Sequence, residues 1–212
     1  MRAFFRWFSK LTGVIPALIF FKPRVYKEKG KKEKGRGTLY VSNHKSLFDF
    51  PLMLLVFWYK SLHTLIAEVL YSKNAVLTFI LNMLGGIKVE RNEKRSDFIY
   101  RSEELLEKGK NLLIFPEGQL PRSSELGELH ASWAYIALRS GAQVVPVVTD
   151  GNYGLFKRAG VMIGAPITDL YEFCGITKED DASAAAKKAN EKLREELIRL
   201  SHKLEEKKNG KR

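Results

Sequence analysis

His44 and Asp49 stand five residues apart in the segment Asn43-His44-Lys45-Ser46-Leu47-Phe48-Asp49. Imidazole is the side chain suited to taking a proton near neutral pH, with an ordinary pKa of ~6.5. A carboxylate within reach fixes its tautomer and stabilises the imidazolium. The pair reads as a general base with its orienting acid. Ser42 and Ser46 lie too close in sequence to face the imidazole as nucleophiles, and no G-x-S-x-G elbow occurs. The chain has four histidines, and His63, His130 and His202 show no metal-ligand spacing with His44, so no metal is expected. No Gly-rich nucleotide loop is present either. What remains is direct activation of a substrate hydroxyl, without a covalent enzyme intermediate.

The elements around this pair follow from the apolar pattern. Residues 38–41 read as a short buried strand that ends in the His-bearing turn. Pro51 fits only the first turn of a helix, so a helix should start near Asp49. Asp49 then has a second role open to it, as the N-cap, and one does not exclude the other. Further strands are expected at 63–67, 87–90, 111–115, 143–148 and 158–163. Helices are expected at 75–84, 96–108 (closed by Gly109), 128–140 (closed by Gly141) and 181–208. In the last, Ala186, Leu193, Leu197, Leu200 and Leu204 form one apolar stripe. Strands alternating with helices predict an α/β fold with a mostly parallel central sheet.

Parallel strands carry their C-terminal ends to one edge, and ligands bind outside that edge. Asn43 to Asp49, Arg91, and Glu117 to Ser124 each follow a predicted strand. His44, Asp49, Arg91, Glu117 and Arg122 are therefore candidates for one site. Arg91 offers planar donors to a phosphate or carboxylate, or pairs with Glu90 or Glu93 at the surface. Glu117 ends a buried strand, where a carboxylate needs partners. Gly118 permits close approach of a ligand. Base, cations and carboxylate at one edge suggest proton abstraction beside an anion.

The net charge of +12 implies an anionic partner, and 45% hydrophobic residues suffice for a full core. One cysteine, Cys174, excludes an internal disulfide and is expected in the core or a loop. Near the N-terminus, Phe4, Phe5, Trp7 and Phe8 alternate with Arg2, Arg6 and Lys10. The uncharged run at 11–21 is shorter than the ~20 residues that span a bilayer. A helix lying in the membrane interface fits this pattern better than a core helix, because the basic stretch 22–36 follows it and can contact anionic headgroups. Nucleic acid is not the expected partner: the aromatics cluster in apolar runs instead of alternating with cations on a polar face.

Four motifs in order resemble the glycerolipid acyltransferases typified by bacterial 1-acylglycerol-3-phosphate acyltransferase. N-H-x-x-x-x-D is met by Asn43, His44 and Asp49. A Gly-rich turn and strand ending in an acid-arginine pair is met by Gly85 through Glu90 and Arg91. F-P-E-G with a following Arg-Ser is met by Phe115, Pro116, Glu117, Gly118, Arg122 and Ser123. An apolar V-P-V strand is met by Val145, Pro146 and Val147, and Gly164-Ala165-Pro166-Ile167 looks like a late G-x-P-I turn. Where many members carry Thr-Arg after the Glu-Gly, this chain has Gln119 and Leu120. Where many carry a lysine before the acid matching Glu68, it has Ala67.

The resemblance implies transfer of a fatty acyl group from acyl-CoA or acyl carrier protein to the free hydroxyl of lysophosphatidic acid, forming phosphatidic acid in phospholipid biosynthesis. His44 would be the base and Asp49 its orienting acid. Asn43, Arg91, Glu117, Gly118 and Arg122 would bind substrate, and no cofactor beyond the thioester co-substrate is implied. Residues 1–35 are expected as membrane anchor and basic linker, 36–170 as catalytic domain, and 171–212 as a C-terminal helix and tail of that domain. The expected place is the cytoplasmic face of the cell membrane, peripheral or monotopic. Two alternatives stay open: an acyltransferase with another acceptor (glycerol 3-phosphate, another lysophospholipid or a lyso-aminolipid), and a non-enzymatic basic membrane-binding module.

Overall fold

The computed structural model describes residues 17–30, 37–89, 96–120 and 125–210. Its strands are β1 (Arg24–Lys27), β2 (Thr38–Ser42), β3 (Leu62–Ala67), β4 (Gly86–Val89), β5 (Asn111–Ile114), β6 (Gln143–Thr149) and β7 (Gly160–Ile163). The helices are α1 (Asp49–Val56), α2 (Glu68–Tyr71), α3 (Ala75–Met83), α4 (Ser96–Glu107), α5 (Ser132–Ser140), α6 (Leu170–Cys174) and α7 (Ala182–Asn209). The seven strands form one sheet in the order β1-β7-β6-β2-β5-β3-β4. The five from β6 to β4 are parallel. β7 runs antiparallel to β6, and β1 lies parallel to β7. The mostly parallel sheet with flanking helices is thus as read from the alternation of elements.

Side chains alternate between two buried layers. Leu39, Val41, Leu112, Ile114, Val144 and Val148 face one core with Trp133, Ile136, Leu193, Leu197 and Leu200 from α5 and α7. Tyr40, Leu113, Val145, Val147 and Val161 face the other with Leu52 and Met53 from α1, and with Phe21. Burial on both faces explains why these strands are continuously apolar rather than alternating with polar residues. The stripe on α7 is buried as its 3.6-residue spacing requires. Asp181 caps that helix, its carboxylate accepting from the Ser183 and Ala184 backbone N–H groups. Cys174 lies in the core, where burial pushes its thiol up to about 11, so at neutral pH it is a packing residue and no nucleophile.

Three local readings are corrected. The basic stretch 22–36 is not all linker: Arg24–Lys27 is edge strand β1, in register with β7 from Arg24 opposite Gly160 to Lys27 opposite Ile163. Its charges hid it, because an edge strand has one solvated side and tolerates Lys and Arg there. The sheet therefore begins before residue 36. Second, Asp49 is not an N-cap. It is the first residue of α1, Phe48 occupies the cap position, and no side chain caps the helix. Third, the structure adds α2 and α6, which at four and five residues are too short to show periodicity in the sequence. Of the expected interface helix, residues 17–21 are described and are helical; the aromatic and basic positions before them lie outside the described residues.

Candidate active site

The loops after β2, β5 and β6 meet at the C-terminal edge of the parallel strands. The turn after β2 is held from below by Asn43. Its Nδ2 donates to the Thr149 carbonyl (2.9 Å) and its Oδ1 accepts from the Thr149 N–H (2.8 Å), stitching β2 to β6 where their ladder ends. The next residue, His44, stacks on Phe115 with ring centroids 4.4 Å apart and planes 21° apart. Its Nδ1 lies 2.7 Å from Asp49 Oδ2. With the Nδ1 proton donated to the carboxylate, Nε2 carries the lone pair of a base.

Asp49 is completely buried, while the His44 side chain keeps 16% of its surface. A carboxylate so placed must have its lone pairs satisfied. Oδ2 also accepts the backbone N–H groups of Lys45 (2.6 Å) and Ser46 (2.8 Å), so the turn folds around the side chain that closes it. Oδ1 accepts a hydrogen bond from the Tyr153 hydroxyl, which in turn contacts Thr149 Oγ1 at 3.0 Å. Burial and the neighbouring Asp49 charge raise the Tyr153 phenol well above its ordinary range, so it is a permanent donor to Asp49. The two backbone N–H groups and the phenol are neutral, which leaves the Asp49 charge directed at the imidazole.

Glu117 is buried, and its two oxygens accept different backbone groups: the His44 N–H at 2.7 Å and the Gly127 N–H at 2.9 Å. A Cβ on Gly127 would lie 2.9 Å from Glu117 Oε2, so a larger residue there would displace the Glu117 carboxylate from this contact. Arg194 of α7 holds the same loop through the carbonyls of Gly127 (2.7 Å) and Leu126 (2.9 Å). Gly118 turns the chain after Phe115-Pro116-Glu117 with φ +64°, the left-handed region that favours glycine, and His130 Cδ2 would sit 3.0 Å from an added Cβ.

The structure thus brings His44 and Asp49 into contact and seats Asn43, Glu117 and Gly118 beside them. The side chains of Asn43 and Glu117, expected to bind substrate, hydrogen-bond to backbone groups around the His44 turn. Arg91 and Arg122 lie outside the described residues. Sequence reading missed Tyr153 and Gly127. Tyr153 had a signal, since it follows β6 at the same sheet edge that singled out the other three clusters. Gly127 had none, because its partner lies in another loop.

The acyltransferase family matches residues 22–150, and the chain belongs to that family. Among its relatives is the chloroplastic 1-acyl-sn-glycerol-3-phosphate acyltransferase BAT2 of Brassica napus. That protein is 29% identical over 154 residues, which is 71% of this chain and 44% of the relative. Another is the lyso-ornithine lipid O-acyltransferase of Pseudomonas aeruginosa, 28% identical over 156 residues, 73% of this chain and 54% of that one. The chain spans about half the length of these curated relatives. The fold is shared with the crystal structure of the 1-acyl-sn-glycerophosphate acyltransferase PlsC from Thermotoga maritima. Its TM-score is 0.60 at 19% identity, over 92% of this chain and 83% of that one.

Proposed function

We propose that this chain is a 1-acylglycerol-3-phosphate O-acyltransferase that makes phosphatidic acid from lysophosphatidic acid and an acyl thioester. The observation that carries the reading is the 2.7 Å contact between His44 Nδ1 and the buried Asp49 carboxylate, which leaves Nε2 as the base. Nε2 takes the proton of the acceptor hydroxyl as its oxygen attacks the thioester carbonyl. Collapse of the tetrahedral intermediate breaks the C–S bond, and the departing thiolate recovers the proton from the imidazolium. Asp49 stabilises that imidazolium and Tyr153 steadies Asp49. Arg91 and Arg122 hold the acceptor phosphate, and Gly118 lines the acceptor side. The thioester, on CoA or on acyl carrier protein, is a co-substrate, and no cofactor is needed.

The enzyme works at the cytoplasmic face of an anionic membrane. Residues 1–21 provide the interfacial anchor, the sheet and α7 the catalytic domain. Family membership and the named relatives support the reaction class; no helix of the described residues is long and apolar enough to cross a bilayer. A second reading keeps the chemistry and changes the acceptor to a lyso-aminolipid. It is favoured by the likeness to the lyso-ornithine lipid enzyme and by Leu120, where many relatives carry a cation.

Thiol release should be measured with lysophosphatidic acid, glycerol 3-phosphate and a lyso-ornithine lipid, each with CoA and carrier-protein donors. Release dependent on lysophosphatidic acid, falling roughly 10³-fold in His44→Ala, is expected. Release unchanged in that variant overturns the catalytic assignment; release favouring the lyso-ornithine lipid selects the second reading.

A further inference from the structure

The loop from Asp150 to Gly160 has a pinned base and a bare tip. At its base Asp150 N–H donates to the Gly160 carbonyl (3.2 Å), and Asp150 Oδ1 accepts from Gly160 N–H (3.0 Å) and Asn152 N–H (3.0 Å). Lys208 of α7 closes on Oδ2 at 2.6 Å. Tyr153 turns inward to Asp49. One residue later the chain makes a tight turn, with the Lys157 N–H donating to the Gly154 carbonyl at 3.0 Å. Its two corner positions, which favour Pro, Asp, Asn, Ser or Gly, hold Leu155 and Phe156.

Leu155 is 55% exposed and Phe156 is wholly exposed. Two adjacent large apolar side chains thus stand in water at a turn whose base is fixed, the kind of exposed apolar patch that marks an interaction surface. Lys157 and Arg158 follow them, both exposed. Lys22, exposed at the end of the described N-terminal helical residues, donates its ammonium to the Leu155 carbonyl at 2.5 Å. Leu18 and Ile19 on that helical segment are exposed as well. Phe20 and Phe21 pack on Phe48, and Phe21 on Tyr153, joining the segment to the catalytic loops.

We propose that the 154–158 tip is a membrane-insertion element: Leu155 and Phe156 enter the acyl boundary of an anionic phospholipid bilayer while Lys22, Lys157 and Arg158 meet its phosphates. An apolar tip ringed by cations is complementary to such a surface, and not to an acidic protein face, which would leave the Phe156 ring in water. Tyr153 belongs to the same loop, so insertion sets the Asp49–His44 pair against the leaflet that holds the acceptor. This rests on the proposed lipid acceptor and adds a second contact point to the N-terminal anchor.

The test uses the full chain with Phe156→Cys carrying an environment-sensitive fluorophore. Its emission should shift to the blue on adding phosphatidylcholine–phosphatidylglycerol vesicles and be quenched by brominated acyl chains. Phosphatidylcholine vesicles alone should give a weaker response. In parallel, the Leu155→Ser/Phe156→Ser variant should lose about ten-fold in transfer to a vesicle-borne acceptor. It should match the parent on a short-chain lysophosphatidic acid kept below its micelle concentration. Absence of quenching, equal vesicle activity in the variant, or a blue shift that needs protein concentration and not vesicles would overturn the proposal. If the parent acts on neither acceptor while quenching persists, the reaction assignment fails and the insertion stands.

Discussion

Asp49 and Glu28 are both carboxylates held largely out of water, and they are satisfied in opposite ways. Asp49 takes two backbone N–H groups, a phenol and the imidazole. Glu28, just beyond the end of β1, takes the Arg199 guanidinium in fork geometry at 2.9 and 2.7 Å, the Lys203 ammonium and the Ala165 N–H. Hydrogen bonding by Arg199, followed by Lys203 and Ala165, outweighs burial and holds the Glu28 carboxyl down to about 2. The cations spend its charge locally: the result is a clamp between the edge strand and α7. Neutral donors around Asp49 stabilise the anion without cancelling it, so its field reaches the imidazole, the group that would become cationic in the proposed reaction. A carboxylate ringed by cations reads as structure; one ringed by dipoles and a single imidazole reads as chemistry.

Glu117 lies between these cases. It too has neutral donors, but both are backbone, and neither can take up a proton. It holds the His44 backbone, and in the proposed reaction it would stay outside the proton transfer.

The contrast is broken most directly at Asp49. Asp49→Asn presents an amide to His44, favours the wrong tautomer, and should lower kcat by about 10³-fold with the fold intact by circular dichroism. A loss below ten-fold would show that the dipole-ringed carboxylate is structural after all. Next is Glu117→Gln. Its amide nitrogen must face one of two N–H donors, so unfolding stability should drop by about 1–3 kcal/mol. A slightly displaced His44 should cost up to ~10²-fold in kcat. KM for the acceptor should hold; a rise in KM with kcat unchanged would return Glu117 to substrate binding.

The smallest catalytic effect belongs to Glu28→Gln. Activity at neutral pH should be unaltered, while the loss of charge-assisted bonds, about 1–2 kcal/mol, lowers Tm by roughly 5 °C. The parent protein also carries a pH signature here. The unfolded chain protonates this carboxyl near 4.5, the folded one only near 2. The contribution is therefore full above pH 4.5 and disappears as pH falls toward 2. Urea midpoints of parent and Glu28→Gln should converge over that interval. A constant gap would mean that the clamp does not depend on the Glu28 charge.

Local pattern carried much of this molecule. The apolar strands, the glycines closing α4 and α5, and the α7 stripe are properties of neighbouring residues, and they required a mostly parallel sheet. His44 and Asp49 were legible because they meet across one turn, five positions apart. The resemblance to the acyltransferases needed no coordinates for the same reason: its motifs are short and ordered along the chain. Tertiary structure decided the rest, because each remaining contact joins distant segments through backbone groups or an edge ladder. Glu117 reaches the His44 N–H across 73 positions, Tyr153 reaches Asp49 across 104, and Asn43 reaches Thr149 across 106. A backbone N–H is the same at every position, so no residue pattern announces which one a buried carboxylate will take. β1 was hidden likewise: its Lys and Arg read as linker until β7 supplied the ladder. Only the folded sheet distinguishes the acid that meets the imidazole from the acids that hold backbone and frame.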